Sequence, residues 1–224
     1  DYSQIELRVL AHLANVTSLI QAFNENKDIH RHTASVVFGV SEDEVTSTMR
    51  RNAKAVNFGI IYGMSDYGLA EQLGVTVKEA KSFIEKYFEK YAEIKEYMNK
   101  SIAFGKENGY VSTVLNRKRY IPEINEKNYM RQEFGKRLAM NSPIQGSAAD
   151  IIKLAMIKVD QLLKENHMKS KMILQVHDEL IFDVYEDELE QMMKLVQTGM
   201  ESAYQMTVEL KAEGTYAKNW YELK

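Results

Sequence analysis

The sequence contains no cysteine and only two prolines, Pro122 and Pro143, among its 224 residues. The lack of cysteine excludes disulfides and thiolate metal sites, and it is compatible with a reducing compartment. No run of about 18 consecutive apolar residues occurs, so we expect no membrane-spanning segment. The chain begins with Asp rather than Met and has no signal peptide, so we interpret it as a fragment of a longer protein.

The charge of the chain is unevenly distributed. The net charge of −3 argues weakly against a nucleic-acid partner. Residues 110–140, however, carry seven basic side chains against three acidic ones, whereas residues 186–201 carry five acidic and one basic. A basic surface suits nucleic acid, but two solvated faces of opposite charge explain the same counts, so composition leaves both interpretations open.

Helical patterns dominate the sequence. Ser41 with Glu44, and Thr76 with Glu79, have the spacing of capping boxes, which begin helices. Few helix-breaking residues follow either pair. The predicted helices cover about residues 41–62, 76–104, 127–141, 147–166 and 187–205.

Strand patterns are confined to short segments. Residues 110–115 (YVSTVL) are rich in β-branched side chains. Residues 172–176 (MILQV) and 180–185 (LIFDVY) flank His177-Asp178-Glu179, which predicts a β-hairpin with an acidic tip. With residues 208–212 as a last strand, a small antiparallel sheet covered by helices results, and the predicted class is α+β.

Four side chains spaced four residues apart form a stripe on one predicted helix. Arg50 and Lys54 lie toward its start, and the aromatic pair Phe58 and Tyr62 toward its end. Steps of ~6 Å spread the four groups over ~18 Å. That order matches a nucleoside triphosphate, with phosphates on the cations and the sugar and base against the rings. An amphipathic helix with buried rings and solvated cations explains the stripe equally well.

Two acidic positions suit a divalent cation. Asp178 and Glu179 lie at the predicted hairpin tip, and Mg²⁺ prefers such carboxylate oxygens. Asp is also common in turns for conformational reasons. Asp1 and Glu6 lie five positions apart where a short extended segment becomes helical. Taken alone, helix capping is the better explanation for that second pair.

Considered together and in order, these segments resemble the signatures of the family A DNA polymerases, the group typified by bacterial DNA polymerase I. The matching segments are DYSQIELRVLAHL at 1–13, RRNAKAVNFGIIYG at 50–63, RLAMNSPIQGSAADIIK at 137–153 and QVHDEL at 175–180. The resemblance implies an α+β palm with a largely helical fingers subdomain. The palm would comprise residues 1–24 and 126–224 and the fingers residues 25–125, and the thumb and any exonuclease domain would be absent.

The resemblance also implies template-directed DNA synthesis, in which a deoxynucleotidyl group passes from a dNTP to the primer 3′-hydroxyl by a two-metal-ion mechanism. Asp1 and Asp178, with the carbonyl of Tyr2, would hold two Mg²⁺ ions, for which Mn²⁺ is a possible substitute. Glu179 would be an accessory acid, and Lys54 would protonate the pyrophosphate. An inactive module that only binds nucleotide or primer-template is the alternative for the isolated fragment.

The remaining implied roles concern substrates. Glu6 would reject ribonucleotides, Phe58 would reject 3′-deoxy terminators, and Tyr62 would lie beside the templating position. The implied dNTP-binding residues are Gln4, Glu6, His30, Arg50, Lys54, Phe58 and Tyr62. The implied DNA-binding residues are Arg8, Arg137, Asn141, Gln145 and His177.

The implied partners are primer-template DNA and deoxynucleoside triphosphates, without a membrane. We expect a monomer and, for a bacterial source, a cytoplasmic, nucleoid-associated location; phage and organellar members share the signatures. Asn116 stands where many relatives have glycine, and Asn tolerates left-handed backbone angles. Ser147 stands where Thr is usual. We also expect Asp1 to lack the strand that should position it.

Overall fold

The computed structural model describes residues 1–223. The described chain forms two compact units, one containing residues 1–5 and the chain from Ala148 onward, the other containing residues 6–147. Helices dominate and the strands form small antiparallel pairs, which confirms the predicted α+β class. Within the described residues, no helix is both long and apolar enough to cross a bilayer.

The unit of residues 6–147 is mainly helical. Its first seven helices are α1 (Ile5–Leu13), α2 (Thr17–Asn24), α3 (Ile29–Phe38), α4 (Ser47–Ile61), α5 (Asp66–Leu73), α6 (Val77–Lys90) and α7 (Ala92–Asn108). Side chains of Asp28, Thr46, Ser65 and Thr76 cap α3, α4, α5 and α6. Each accepts a hydrogen bond from a backbone N–H that the first helical turn leaves unpaired.

The helix predicted from residue 41 begins later. Ser41 and Glu44 form their capping box, but it opens only a 3-10 turn at Glu42–Glu44. Val45 then adopts an extended conformation and is buried beside Ala34 and Ala53. Burial of Val45 thus interrupts the helix, and α4 restarts after Thr46.

The helix predicted over residues 76–104 begins at the predicted capping box of Thr76 and Glu79 but is divided at Tyr91. Tyr91 has φ −116° and ψ 60°, which no α-helix accommodates. Its ring is buried and lies 4.8 Å, centroid to centroid, from that of buried Tyr87. The break therefore lies at a buried side chain, where the chain leaves the helical path without exposing the ring.

A short hairpin follows α7. Strand β1 (Tyr110–Ser112) pairs antiparallel with β2 (Lys118–Tyr120), so the predicted strand ends earlier than residue 115 and its partner was missed. Asn116 has φ +61°, in the left-handed region that the substitution of Asn for glycine suggested. The N–H of Val114 donates to the hydroxyl of buried Ser147 at 3.0 Å, which ties the connecting loop to the next helix.

Helix α8 (Tyr129–Glu165) contradicts the prediction of two separate helices, because it continues through Pro143. Proline removes a single N–H donor from the helix. The missing donor is the one that would bond to the carbonyl of Ala139, four residues earlier, whereas the hydroxyl of Ser147 donates to the carbonyl of Pro143 itself. The helix continues through Pro143 although the proline cannot donate this bond.

The other unit contains a second hairpin. Strands β3 (Lys171–Val176) and β4 (Glu179–Asp183) pair antiparallel as predicted, with a bulge between Met172 and Leu174. Helix α9 (Leu189–Glu201) is shorter than the predicted 187–205. The strand predicted at 208–212 is wrong, because the segment makes only an isolated bridge between Ala212 and Tyr2. With one partner residue there, no ladder extends along the segment.

Candidate active site

The first two residues lie against the tip of the β3–β4 hairpin. The N–H of Tyr2 donates to the carbonyl of Asp178 at 3.1 Å. Asp1 makes two hydrogen bonds with Glu213, each of 2.9 Å. Its amino group donates to the carbonyl of Glu213, and its carbonyl accepts from the N–H of Glu213. Asp1 belongs to no strand, and backbone hydrogen bonds to Glu213 hold it.

The hairpin tip is a tight turn. His177 has φ +51°, and its carbonyl accepts from the side-chain amide of Gln175 at 2.8 Å. Glu179 follows as the first residue of β4, paired with Val176. The turn thus presents His177 and Asp178 at the end of the hairpin, as the sequence predicted.

Tyr2 is anchored by its side chain as well as by its backbone N–H. Its side chain is buried, and its hydroxyl donates to the carbonyl of Met200 at 2.7 Å. Burial raises the pKa of this hydroxyl above its ordinary value, so it remains a neutral donor. The position of Tyr2, and hence of its hydrogen bond to Asp178, is fixed by the core.

The donor set at this tip fits a hard divalent cation. Asp1 and Asp178 provide two carboxylates, and no histidine or thiolate is needed, which matches the preference of Mg²⁺ for one or two carboxylates plus substrate and water. Among residues 1–223, no group of three or more His, Cys, Asp or Glu side chains is arranged as a complete metal site.

The α4 stripe forms as predicted in the unit of residues 6–147. Its members are the α4 residues Arg50, Lys54 and Phe58 and the residue that ends the helix, Tyr62. The rings of Phe58 and Tyr62 lie nearly parallel with centroids 6.3 Å apart. Tyr62 is 38% exposed and Phe58 half-buried.

The buried face of α4 consists of other residues, namely Ala53, Val56, Asn57, Gly59, Ile60 and Ile61. The two rings are thus not the core face of the helix. This arrangement favours the ligand-binding interpretation of the stripe over a purely amphipathic one.

Arg50 is engaged by an acid that no sequence motif singled out. Its Nε lies 2.6 Å from Oδ2 of Asp28. The other oxygen of Asp28 accepts from the N–H groups of His30 and Arg31 at the start of α3. Asp28 therefore caps a helix and holds the cation of a neighbouring helix. The N-cap preference of Asp before a helix was the available signal for its first role.

His30 is buried within a chain of hydrogen bonds. Its Nδ1 lies 3.0 Å from Nδ2 of Asn57, and the hydroxyl of Thr33 donates to Oδ1 of Asn57 at 3.1 Å. Burial lowers the pKa of His30 to about 4; the charges of Arg50 and Lys54 act in the same direction and that of Asp28 opposes them. His30 is therefore neutral at pH 7.

The hydrogen bonding of Asn57 selects one tautomer of His30. Because the amide of Asn57 donates to Nδ1, the ring proton belongs on Nε2. Neither Asn57 nor Thr33 was predicted from the sequence. Their partners lie 27 and 24 residues away along the chain, beyond the reach of any helical spacing.

Glu6 and Tyr62, both predicted to contact the nucleotide, are brought together. The hydroxyl of Tyr62 donates to Oε2 of Glu6 at 2.8 Å, although the two residues are 56 positions apart. The hydrogen bond holds the Glu6 carboxylate next to the aromatic end of the stripe.

The predicted DNA-binding residues lie in different environments. Arg8 is buried with its guanidinium carbon 4.5 Å from the ring centre of Phe23, whereas Gln145 is exposed. Arg137 is exposed and packs beside Gly63, where an added Cβ would lie 3.0 Å from its Cγ. Each of the five belongs to one unit, His177 to that of the hairpin and the others to that of residues 6–147.

Two of the predicted contact residues contain buried oxygens that lack a partner among residues 1–223. These are Oδ1 of Asn141 and Oε1 of Gln4. Buried polar atoms in native proteins are nearly always hydrogen-bonded. The two oxygens are exceptions to this rule.

Comparison with known proteins identifies the family of the chain. A family model described as "DNA polymerase family A" matches residues 1–222. Over the whole chain, the sequence is 52% identical to DNA polymerase I of Bacillus caldotenax and 53% identical to DNA polymerase I of Bacillus subtilis. The chain spans 26% of the length of each of these relatives.

Among solved structures, the chain is similar to the POL domain of Pol1 from M. smegmatis in complex with DNA primer-template and dNTP. The TM-score is 0.90 at 47% sequence identity, over 94% of this chain and 37% of that one. The match of the family model over nearly the full length, the sequence identities and the shared fold lead to one conclusion. The chain belongs to the family A DNA polymerases.

Proposed function

We propose that the chain contains the nucleotidyl-transfer groups of a template-directed DNA polymerase, with the palm at residues 1–24 and 126–224 and the fingers at 25–125. The main support is the hydrogen bond from Tyr2 to the Asp178 carbonyl, which brings together the two acids expected to hold metal. A protein that only bound nucleotide would not need this pair. The substrates are a dNTP and primer-template DNA.

Asp1, Asp178 and the carbonyl of Tyr2 would hold Mg²⁺, with Mn²⁺ as a substitute. When bound, the metal pair lowers the pKa of the primer 3′-hydroxyl and neutralises charge on the triphosphate. Backbone hydrogen bonds hold the main chain at Asp1 and Asp178 in place. Glu179 at the start of β4 contributes negative charge beside them.

The triphosphate binds the cationic end of the α4 stripe. Arg50 exchanges its ion pair with Asp28 for a phosphate, and exposed Lys54 binds the same chain of phosphates and protonates the departing pyrophosphate. His30 adds a neutral donor, Nε2–H, because Asn57 occupies its other nitrogen. A neutral donor binds phosphate without adding a further charge that would have to be desolvated.

The sugar and base lie at the aromatic end. The hydrogen bond from Tyr62 fixes the carboxylate of Glu6, and a fixed carboxylate excludes a 2′-hydroxyl by contact. Phe58 borders the 3′ position and Tyr62 the templating base. Gln4 completes the nucleotide contacts.

The remaining contacts test the shape of the nascent pair. Arg8, Arg137, Asn141, Gln145 and His177 contact the pair, the template or the primer terminus. Minor-groove acceptors occur in every correct pair, so amide and guanidinium donors check pairing geometry without reading sequence. The basic surplus of residues 110–140 gives the phosphate backbone a complementary charge.

Primer extension tests the proposal. The chain is assayed on a labelled primer-template with dNTPs and Mg²⁺, beside Asp178→Ala and the matched control Asp183→Ala, which removes an exposed acid from the same hairpin. We expect extension by the chain and by Asp183→Ala but not by Asp178→Ala. Extension that survives Asp178→Ala would refute the metal role of this acid. A chain that binds dNTP without extending a primer would establish the alternative, a binding module.

A further inference from the structure

Three aromatic side chains form a continuous surface beside the β1–β2 hairpin. Phe104 and Tyr110 lie with ring centroids 5.6 Å apart, and Tyr110 and Tyr120 with centroids 5.9 Å apart. Tyr110 and Tyr120 are direct cross-strand partners. We call the group formed by Phe104, Tyr110, Tyr120 and Lys118 the β1–β2 aromatic surface.

This surface faces away from the core of its unit. Val111, between Tyr110 and Ser112 in β1, is buried in a cluster with Ile121, Ile124 and Ala139. Because side chains alternate along a strand, Tyr110 lies on the opposite face from Val111. Tyr120 is 70% exposed and Phe104 42% exposed. Core packing therefore does not account for the rings.

A cation accompanies the rings. The ammonium of Lys118 lies 4.2 Å from the centre of the Tyr110 ring, and Lys118 is exposed. Arg117 precedes it in the turn, and the surrounding segment 110–140 has seven basic residues against three acidic ones. The surface thus combines flat apolar rings with positive charge.

We propose that the β1–β2 aromatic surface binds single-stranded DNA, with a base stacked on Tyr120 and phosphate near Lys118. Exposed rings in a basic setting suit single strands, because every base has a face for stacking and the backbone is anionic. Duplex DNA keeps its base faces inside the stack and offers only phosphates. The choice of DNA as the ligand rests on the proposed function, but the surface contains none of the groups assigned to nucleotidyl transfer.

Fluorescence anisotropy with a labelled thymidine oligonucleotide measures this binding on the full chain. Tyr120→Ala is expected to weaken it about fivefold or more, since alanine substitution of a stacking ring costs ~5- to 150-fold per base. Tyr120→Phe keeps the ring and should bind as the unsubstituted chain does. Tyr216→Ala is the matched control, because Tyr216 is 71% exposed and lies outside the surface, and it should have no effect.

Two further measurements separate stacking from charge. An abasic oligonucleotide of equal length keeps the phosphates and should bind more weakly, with the same affinity for Tyr120→Ala as for the unsubstituted chain. Lys118→Gln should reduce the slope of log affinity against log salt by about 0.7 for the lost phosphate contact. The proposal would be overturned if Tyr120→Ala and Tyr120→Phe bound the thymidine oligonucleotide with the same affinity. It would also be overturned if Tyr120→Ala weakened binding of the abasic oligonucleotide as much as binding of the thymidine oligonucleotide.

Failure of this inference is distinguishable from failure of the proposed function. If the unsubstituted chain extends primers while Tyr120→Ala leaves single-strand affinity unchanged, only the inference is wrong. If the chain extends no primer but Tyr120→Ala weakens single-strand binding, the surface stands and the proposed function fails.

Discussion

Burial of His30 should make the stability of the chain depend on pH. The pKa of His30 in the folded chain is about 4, below the ordinary value near 6.5, because burial and the charges of Arg50 and Lys54 disfavour its protonated form. The unfolded chain therefore takes up this proton first as the pH falls. The contribution of neutral His30 is fully present above about pH 6.5 and is lost as the pH decreases toward 4.

The magnitude follows from the difference between the pKa values of the folded and the unfolded chain. A tenfold difference in proton affinity corresponds to about 1.4 kcal/mol. Below pH 4 the whole contribution of neutral His30 to the free energy of unfolding, about 3 kcal/mol, has therefore been lost. Between pH 7 and pH 5 the linkage relation gives a decrease of about 2 kcal/mol in the free energy of unfolding. Asp28, which also faces His30, opposes part of the decrease in pKa and is already counted in the value of about 4.

Urea unfolding at pH 7 and pH 5, for the unsubstituted chain and for His30→Gln, isolates this contribution. Glutamine does not titrate and offers Asn57 a carbonyl oxygen as acceptor. All other titrating groups are common to both proteins, so the decrease between the two pH values should be about 2 kcal/mol smaller in His30→Gln. An NMR titration of the His30 ring should show a midpoint near 4. Equal pH dependence in both proteins, or a midpoint at about 6 or above, would refute the reasoning.

Three further predictions, with control substitutions, test other parts of the structure. Asp28→Asn keeps the cap of α3 but removes the ion pair with Arg50. Titration with dNTP should therefore show an affinity higher by up to about fivefold. A lower affinity would contradict the role of Asp28 as a competitor of phosphate for Arg50. Gly135→Ala places a Cβ 2.5 Å from the backbone nitrogen of Ile124, so chemical unfolding should show a free energy of unfolding lower by about 1–3 kcal/mol. In Gly59→Ala the nearest neighbour of the added Cβ lies 3.5 Å away, and the free energy of unfolding should not change. Equal effects of the two substitutions would refute the packing argument. Asn116→Ala should cost about 1–2 kcal/mol in the same assay because of its φ of +61°, and Asn116→Gly should cost less than Asn116→Ala.

Local patterns predicted the local structure. The β3–β4 hairpin and its acidic tip follow from two apolar runs around three polar residues, and the α4 stripe follows from four-residue spacing. Both depend on backbone periodicity within a short segment. The capping boxes at Ser41 and Thr76 formed for the same reason, although only the second begins a long helix.

The errors arose where the local sequence pattern does not decide the backbone. The break at Tyr91 coincides with burial of its ring, and the extended conformation of Val45 coincides with its burial beside α3 and α4. Helix α8 passes through Pro143, although proline usually marks a helix end. None of these outcomes is visible from the local pattern of side chains.

The same limit applies to the candidate site. The residues expected to contact substrate and metal could be named from resemblance, because the motifs contain them. The residues that orient them, Asp28, Asn57 and Thr33, act through contacts made by folding. Spacing along the sequence does not reveal a hydrogen bond between residues 27 positions apart.

The hydrogen bond from Tyr2 to Asp178 joins two backbone groups at the acidic tip and involves no side chain. A peptide N–H and a peptide carbonyl exist whatever side chains are attached, so the relative placement of positions 1 and 178 does not depend on their carboxylates. Imidazole or amide groups can therefore be introduced at both positions on an unchanged backbone. If the hairpin holds metal as proposed, its preference among ions can be redesigned separately from folding, starting with softer ions that prefer nitrogen ligands.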